Sequence, residues 1–357
     1  MTALRPSPPI ELRAANLDDA GECARINTFV RDHRDGTPFH LTGWSRAIER
    51  GCRQASHYLL AEHAGGDLAG VLPLTAIRSP LFGSALVSSG FAVDGGVLSH
   101  DEASCGALVT AAWTLAEQLG CPTLELRGGP TPDHGWHVDE ETYLGFARDL
   151  ASDDDAELKA IPRKQRAEVR KALAGDLTVE TGSDLRDLAA HYAVYAESVR
   201  NLGTPVFPRA LFSAVIDELG EVADVLTVRD GGKPVASVLS LYFNGTVYPY
   251  WGGGTFSARS LRANDLMYFA LMRHARERGC TRFDFGRSKA GTGPAAFKKN
   301  WGFEPHPLAY AVRTAAGAAP REINPMSPRY RFQVAAWKKL PLWLANRIGP
   351  PIARGLG

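Results

Sequence analysis

The sequence predicts an α/β protein made of two copies of one unit, each a mixed central sheet flanked by helices. Two observations carry this. The stretches YLLAEHAGGDLAGVLPL (58–74) and VLTVRDGGKPVASVLSL (225–241) each read as an apolar strand, a Gly-Gly turn and a second apolar strand, the pattern of a β-hairpin. Further on, GGVLSHDEASCGALVTAAWTLAEQLGCPTLELRGG (95–129) parallels GGGTFSARSLRANDLMYFALMRHARERGCTRFDFGRS (252–288). Both give a glycine-rich strand end, a helix, a Gly-Cys stop and a strand with one acid inside it, Glu125 or Asp284. Because hairpin, helix and strand recur in one order, the chain reads as a duplication.

The elements follow from residue spacing. Leu266, Phe269, Ala270 and Met272 recur at helical intervals, and Gly279 is a natural stop. HYAVYAESVRNLG (191–203) and LFSAVIDELG (211–220) predict helices ahead of the second hairpin. Helices, hairpin, strand, helix, strand, short helix and strand is the order of the GNAT acyltransferase fold, here expected twice in tandem. DDDAELKAIPRKQRAEVRKALAGD (153–176) predicts a charged connecting helix. The expected domains are therefore residues 1–152, residues 153–315 including the basic connecting helix, and a helical extension over 316–357.

Composition narrows the chemistry. With 40 basic against 39 acidic residues the net charge is +1, so no global field holds the protein on a polyanion and stable DNA binding is not expected. Any phosphate contact must be local. Cys23, Cys52, Cys105, Cys121 and Cys280 include no CxxC pair, which argues against a disulfide framework or a zinc site. The opening MTALRPSPPIELRA lacks the apolar core of a signal peptide, and no run reaches the ~18 apolar residues that span a bilayer, so a cytoplasmic location is expected.

The densest candidate segment is FDFGRSKAGTGPAAFKKNWGFEP (283–305). It is not a Walker A loop, because Thr292 rather than lysine follows Gly291. The pyrophosphate loop of the GNAT fold needs glycines so that backbone N–H groups at a helix start reach the coenzyme A phosphates. The equivalent RSLRAN places Arg262 and Asn264 there, so acetyl-coenzyme A is not the favoured donor. FKKNWGFEP fits the end of a short helix entering a strand, with Lys298 and Lys299 as candidate catalytic cations; a solvated lysine pair beside a packing aromatic is the alternative. Arg287, Lys289 and Trp301 in the same stretch are candidate substrate contacts. Asp284 could face the cleft or be held by a neighbouring arginine. Tyr248 and Tyr250 lie two apart and would share a strand face, where one phenol could orient a carbonyl or relay a proton; Trp251 follows them before the glycines.

Other candidates lie elsewhere. Arg163, Arg166 and Arg170 repeat on one helical face, and Lys164 and Lys171 lie a heptad apart; such a stripe could hold phosphates of a nucleotide-linked acceptor or a tRNA, or be a solvated face. His40 and Trp44 could serve an acceptor or be structural. The C-terminal segment sets Trp337 and Trp343 among Lys338, Lys339, Arg347 and Arg354, a pattern that can lie on the inner face of an anionic membrane or fold back on the body. There is no GxSxG, no HExxH and no cysteine with an evident histidine partner, so neither a covalent nucleophile nor a metal is expected.

Nearly the whole chain resembles the FemAB-like peptidyl or aminoacyl transferases, in the branch called FemAB family, PEP-CTERM/exosortase system-associated. The residues that carry the resemblance are TPFHLTGW (37–44), GVLPLTAIRSPLFGSALVS (70–88), KQRAEVRKAL (164–173), LGTPVFP (202–208), YPYWGGG (248–254), FDFGRSKAGTG (283–293) and FKKNWGFEP (297–305). The resemblance implies a double GNAT fold and a broader family that moves aminoacyl groups from aminoacyl-tRNA onto amines of peptidoglycan precursors, with the substrate of this branch left open; no cofactor is expected. For this branch it implies an envelope or exopolysaccharide setting. It also implies that a lysine near the last strand steadies charge on the reacting carbonyl; Lys298 matches that position, with Lys299 as the alternative. The expected partners are thus an activated acyl donor, either aminoacyl-tRNA or a thioester, and an amine-bearing envelope precursor. Two other readings stay open: an N-acyltransferase dependent on acyl-coenzyme A or acyl carrier protein, and a non-catalytic binding protein on the same scaffold.

Overall fold

The structure, a computed structural model, describes residues 10–132, 135–318 and 328–357. These residues form two units. The first holds residues up to Asp139 together with 309–318 and 354–357; the second holds 140–308 and 328–353.

The duplication read from the sequence is present. The hairpins are Ala55–His63 with Leu68–Ser79, and Ala223–Asp230 with Lys233–Phe243, both antiparallel. Asp101 starts the helix Glu102–Gln118 by accepting the Ser104 N–H at 2.8 Å. Its counterpart is Ala263–Glu277. The same bond closes both Gly-Cys stops: Cys121 N donates to Ala116 O at 2.8 Å, and Cys280 N donates to Ala275 O at 2.9 Å. The strand after the helix runs parallel to an earlier one, Gly83–Ser88 in the first unit through Leu86–Leu124 and Val87–Glu125, and Thr246–Gly254 in the second through Thr246–Arg282 and Val247–Phe283. Among the described residues no further parallel pair follows in either unit.

Each sheet takes a strand from the other half of the sequence. In the first unit the order is Ile10–Ala14, Ala55–His63, Leu68–Ser79, Gly83–Ser88, Thr123–Arg127, Tyr310–Thr314 and His137–Asp139, with Leu98–Ser99 pairing on Leu68–Ser79. In the second it is Ser288–Lys289, Tyr143–Asp149, Arg282–Asp284, Thr246–Gly254, Lys233–Phe243, Ala223–Asp230 and Thr178–Gly182, with Pro305–Pro307 pairing on Tyr143–Asp149. The boundary expected at 152–153 therefore separates the halves in sequence only. Tyr143–Asp149 precedes that boundary yet lies in the second sheet, and Tyr310–Thr314 lies in the first.

Each unit has its own apolar core. Leu72, Leu74, Leu86, Leu108 and Leu124 anchor the first, and Leu226, Val238, Val247, Phe269, Met272, Phe283, Trp301 and Phe303 the second. The single charged helix expected over 153–176 is two helices, Asp154–Ala160 and Arg163–Leu173. Pro162 is the reason, because it excludes the helical conformation at the preceding residue, and Ile161 is extended at φ −70 and ψ 132. Two helices, Pro328–Trp337 and Leu342–Ala353, form the C-terminal segment. Among the described residues no helix is long and apolar enough to cross a membrane.

Candidate active site

The site is built at the turn where the strand Arg282–Asp284 ends. Asp284 Oδ1 accepts the Gly286 N–H at 2.8 Å, and Gly286 has φ +67, a left-handed conformation in which a side chain is strained. The turn brings two carbonyls to one side chain: Lys298 Nζ donates to Gly286 O at 3.0 Å and to Arg287 O at 2.9 Å. Lys298 lies on the helix Gly293–Asn300, which has a proline in its first turn and ends at Trp301 and Gly302. Helical phase separates the two lysines. Lys298 is 9% exposed, whereas Lys299 is on the open face. The rings of Phe146 and Phe285 stand 5.3 and 5.6 Å from Lys298 Nζ.

This environment shifts both ionisable groups toward neutrality. Burial pushes Lys298 down to about 7, opposed by the Asp284 charge and aided by Arg287. Burial likewise raises Asp284, against the pull of the Gly286 N–H and of Lys298. Desolvation thus outweighs their mutual attraction, and the two make no direct ion pair. With two N–H groups committed to carbonyls, protonated Lys298 has a third for an incoming oxygen.

The Lys298 shift has a consequence for stability. Between pH 7 and its ordinary value of 10.5 the unfolded chain binds a proton at Lys298 that the folded chain does not. The burial penalty is therefore full below pH 7 and falls as pH rises, by up to about 1.4 kcal/mol per unit. In denaturant titrations, the stability of the wild type relative to Lys298→Met should rise from pH 7 to 10 and be flat from pH 5.5 to 6.5.

Arg287 and Lys289 stay beside this turn. The Arg287 guanidinium carbon lies 4.7 Å and Lys289 Nζ 5.6 Å from the centroid of the Tyr143 ring. Tyr143 and Phe146 belong to Tyr143–Asp149, so nothing in the linear order marked them as site residues.

Several candidates are placed elsewhere. Trp301 is fully buried, with its ring centroid 6.1 Å from Tyr268 and 6.3 Å from Phe297, so it is core rather than a substrate contact. Trp251 is 6% exposed and packs at 5.2 Å on Phe212, also as core. The expected common face of Tyr248 and Tyr250 is broken by a bulge. Leu239 opposes Trp251 and Ser240 opposes Pro249, so Tyr250 is the extra residue, and Tyr248, opposite Leu241, shares its face with Trp251. The glycines that follow serve packing: a Cβ at Gly253 would lie 2.2 Å from Ser198 Oγ.

The basic helix Arg163–Leu173 is partly committed. Arg166 donates to Ile161 O at 3.0 Å and Lys159 O at 2.9 Å, which ties two of its five N–H groups to its own chain. Lys171 pairs with Glu168 at 2.7 Å. Arg163, Lys164 and Arg170 are exposed. Glu168 also holds Arg262 at 2.6 Å. Arg262 has φ +57 at the start of the helix Ala263–Glu277, so an arginine adopts the conformation that a glycine would favour. Asp265 sits in the first turn and accepts from Gln165 Nε2 at 2.6 Å. A carboxyl group and a bound guanidinium thus occupy the helix start at which a pyrophosphate would be received.

In the first unit the corresponding region is filled by its own chain. Glu125, the counterpart of Asp284, is bound by Arg127 Nε at 2.7 Å, and Arg127 also donates to Ala92 O at 2.9 Å. His40 is 1% exposed, and its Nε2 contacts Gly96 O at 3.1 Å while Nδ1 contacts Thr37 Oγ1 at 2.8 Å. Burial pushes it down to about 4, so it is a neutral structural histidine. Trp44 is fully buried and donates to Gly90 O at 3.2 Å. Both are corrected from acceptor contacts to packing.

Comparison with known proteins agrees with this architecture. Residues 161–299 match the family model described as an acetyltransferase (GNAT) domain, a span that includes Asp284 and Lys298. The chain is similar in fold to FemX, at 16% identity and a TM-score of 0.66, covering 84% of this chain and 96% of that one. It is also similar to a tandem GNAT protein from the clavulanic acid biosynthesis pathway, at 14% identity and a TM-score of 0.55, covering 87% and 100%. A third likeness is to L-PGS from Bacillus licheniformis, at 14% identity and a TM-score of 0.54, covering 89% and 97%. None of the curated proteins matches the sequence. The matched domain gives residues 161–299 the character of a GNAT acetyltransferase domain, and the structural likenesses show a tandem GNAT fold. The chain is thus similar in its double GNAT architecture to FemX and to the tandem GNAT protein.

Proposed function

We propose that the protein forms an amide by moving an aminoacyl group from aminoacyl-tRNA to an amine on a cell-envelope or exopolysaccharide-related precursor, in the cytoplasm where charged tRNA is available. The observation that carries this reading is Lys298, a nearly buried amine anchored on two backbone carbonyls with a third N–H uncommitted when protonated. An ester is already activated, so catalysis needs orientation and a charge for the oxyanion rather than a covalent intermediate. The acceptor nitrogen forms the C–N bond, and the ester C–O bond breaks. The neutral acceptor nitrogen surrenders one proton and the leaving ribose oxygen takes one up, with water as the carrier, so the proton count is unchanged.

In this account Lys298 donates to the carbonyl oxygen as it turns negative, and Asp284 holds the turn beside it by accepting the Gly286 N–H. Tyr250, the extra residue of the bulge, is assigned to orienting the carbonyl. Arg287 and Lys289 flank Tyr143 as candidate contacts for an anionic part of either substrate, with Arg163, Lys164 and Arg170 as further contacts for phosphates. The Arg262–Glu168 pair and Asp265 favour a donor that places no pyrophosphate at that helix start.

The test is mass spectrometry of products from purified protein given candidate envelope amines with either charged tRNA or acyl thioesters. Amide product is expected with charged tRNA. Product from thioesters alone would replace this reading with an acyl-coenzyme A or carrier-protein enzyme.

A further inference from the structure

Positive charge is segregated at the end of the chain. After Glu322 there are six cations, Arg329, Arg331, Lys338, Lys339, Arg347 and Arg354, and no acidic residue. Since the chain total is +1, the preceding 322 residues carry −5. Such asymmetry points to an anionic partner for this segment.

The helix Leu342–Ala353 has two distinct faces. Ala345, Gly349 and Ala353, spaced by four, are buried. A Cβ at Gly349 would lie 3.1 Å from Val206 N, so the small residues sit directly on the body of the second unit. The outward face carries Trp343, Arg347, Ile348 and Pro351, with Trp343 69% and Ile348 39% exposed. Leu202, 62% exposed, ends the neighbouring helix Leu185–Leu202. A Cβ on the adjacent Gly203 would come within 3.1 Å of Lys338 Cε. Lys338 and Lys339 are themselves exposed. Among the described residues, three of the eight large exposed hydrophobic ones thus fall among exposed cations, which distinguishes this surface from scattered apolar exposure.

A polyanion such as RNA would use the cations but gain little from Trp343, Ile348 and Leu202. An apolar protein face would use those three but gain little from the charge. A lipid surface uses both, because indole and aliphatic groups enter the interface while lysine and arginine meet the phosphates. We propose that the surface formed by Leu202, Lys338, Lys339, Trp343, Arg347 and Ile348 docks the protein on an anionic phospholipid bilayer. This inference is independent of the transfer reaction proposed above.

The test is co-sedimentation of the full chain with vesicles of phosphatidylglycerol and phosphatidylcholine in equal parts, compared with phosphatidylcholine alone. Binding to the anionic vesicles is expected, with weak binding to the neutral ones. The double variant Lys338→Glu/Lys339→Glu should lower the partition coefficient at least about twenty-five-fold, fivefold for each cation lost. Trp343→Ser should lower it on the order of tenfold. Both variants should keep the wild-type Tm, since the substituted side chains are exposed. Equal binding to both vesicle types, or variants that bind as wild type, would overturn the proposal. Retention of tRNA without vesicle binding would do the same, as would self-association that Trp343→Ser abolishes.

Discussion

Replacing Lys298 by methionine is expected to lower the single-turnover rate of transfer by about 10²–10³, the range seen when one oxyanion donor is lost, while Lys299→Met stays within about twofold. The two lysines are adjacent in sequence but not in environment. Lys298 is 9% exposed and holds Gly286 O and Arg287 O, whereas Lys299 is exposed. Methionine keeps much of the aliphatic volume between Phe146 and Phe285, so the variant should fold. It leaves two carbonyls without their donor, at a cost of about 1–3 kcal/mol, which circular dichroism melts would register separately from the rate. If the loss fell on KM rather than on the chemical step, Lys298 would be a binding group instead.

A second large effect is expected from cutting the chain between residues 152 and 153. Residues 1–152 alone lack Tyr310–Thr314, which pairs with Thr123–Arg127 on one side and His137–Asp139 on the other. Residues 153–357 alone lack Tyr143–Asp149, which pairs with Arg282–Asp284, Ser288–Lys289 and Pro305–Pro307. That strand also supplies Phe146, fully buried, and Arg148, which pairs with buried Glu157. Neither fragment should unfold cooperatively on its own. Co-expressed, the two should co-purify as one complex, because each carries a strand of the other's sheet. Two independently folded fragments would contradict the strand exchange.

The parts legible in the sequence were local ones. Hairpins, the two Gly-Cys helix stops and the acid inside each following strand are set by residues close in the chain, and they appear where expected. Tyr143 and Phe146 were not legible, because their strand crosses into the sheet of the other sequence half and no short-range pattern encodes that pairing. The Tyr248–Tyr250 expectation failed for a related reason. Alternation assumes an unbroken ladder, and the bulge opposite Leu239–Ser240 adds one residue. His40, Trp44, Trp251 and Trp301 show that an aromatic or histidine within a motif can mark packing as well as binding. The substituted glycines of the phosphate loop were legible, but the ion pair of Arg262 with Glu168 required the tertiary fold.

The central claim is that a protonated Lys298 meets the reacting carbonyl, and the pH dependence of the single-turnover rate tests it most directly. Deprotonation of the acceptor amine should raise the rate with pH in both proteins. In the wild type that rise should bend to a plateau above about pH 7, as Lys298 loses its proton, and the bend should be absent in Lys298→Met. Parallel profiles that climb together from pH 6 to 9 would contradict the claim.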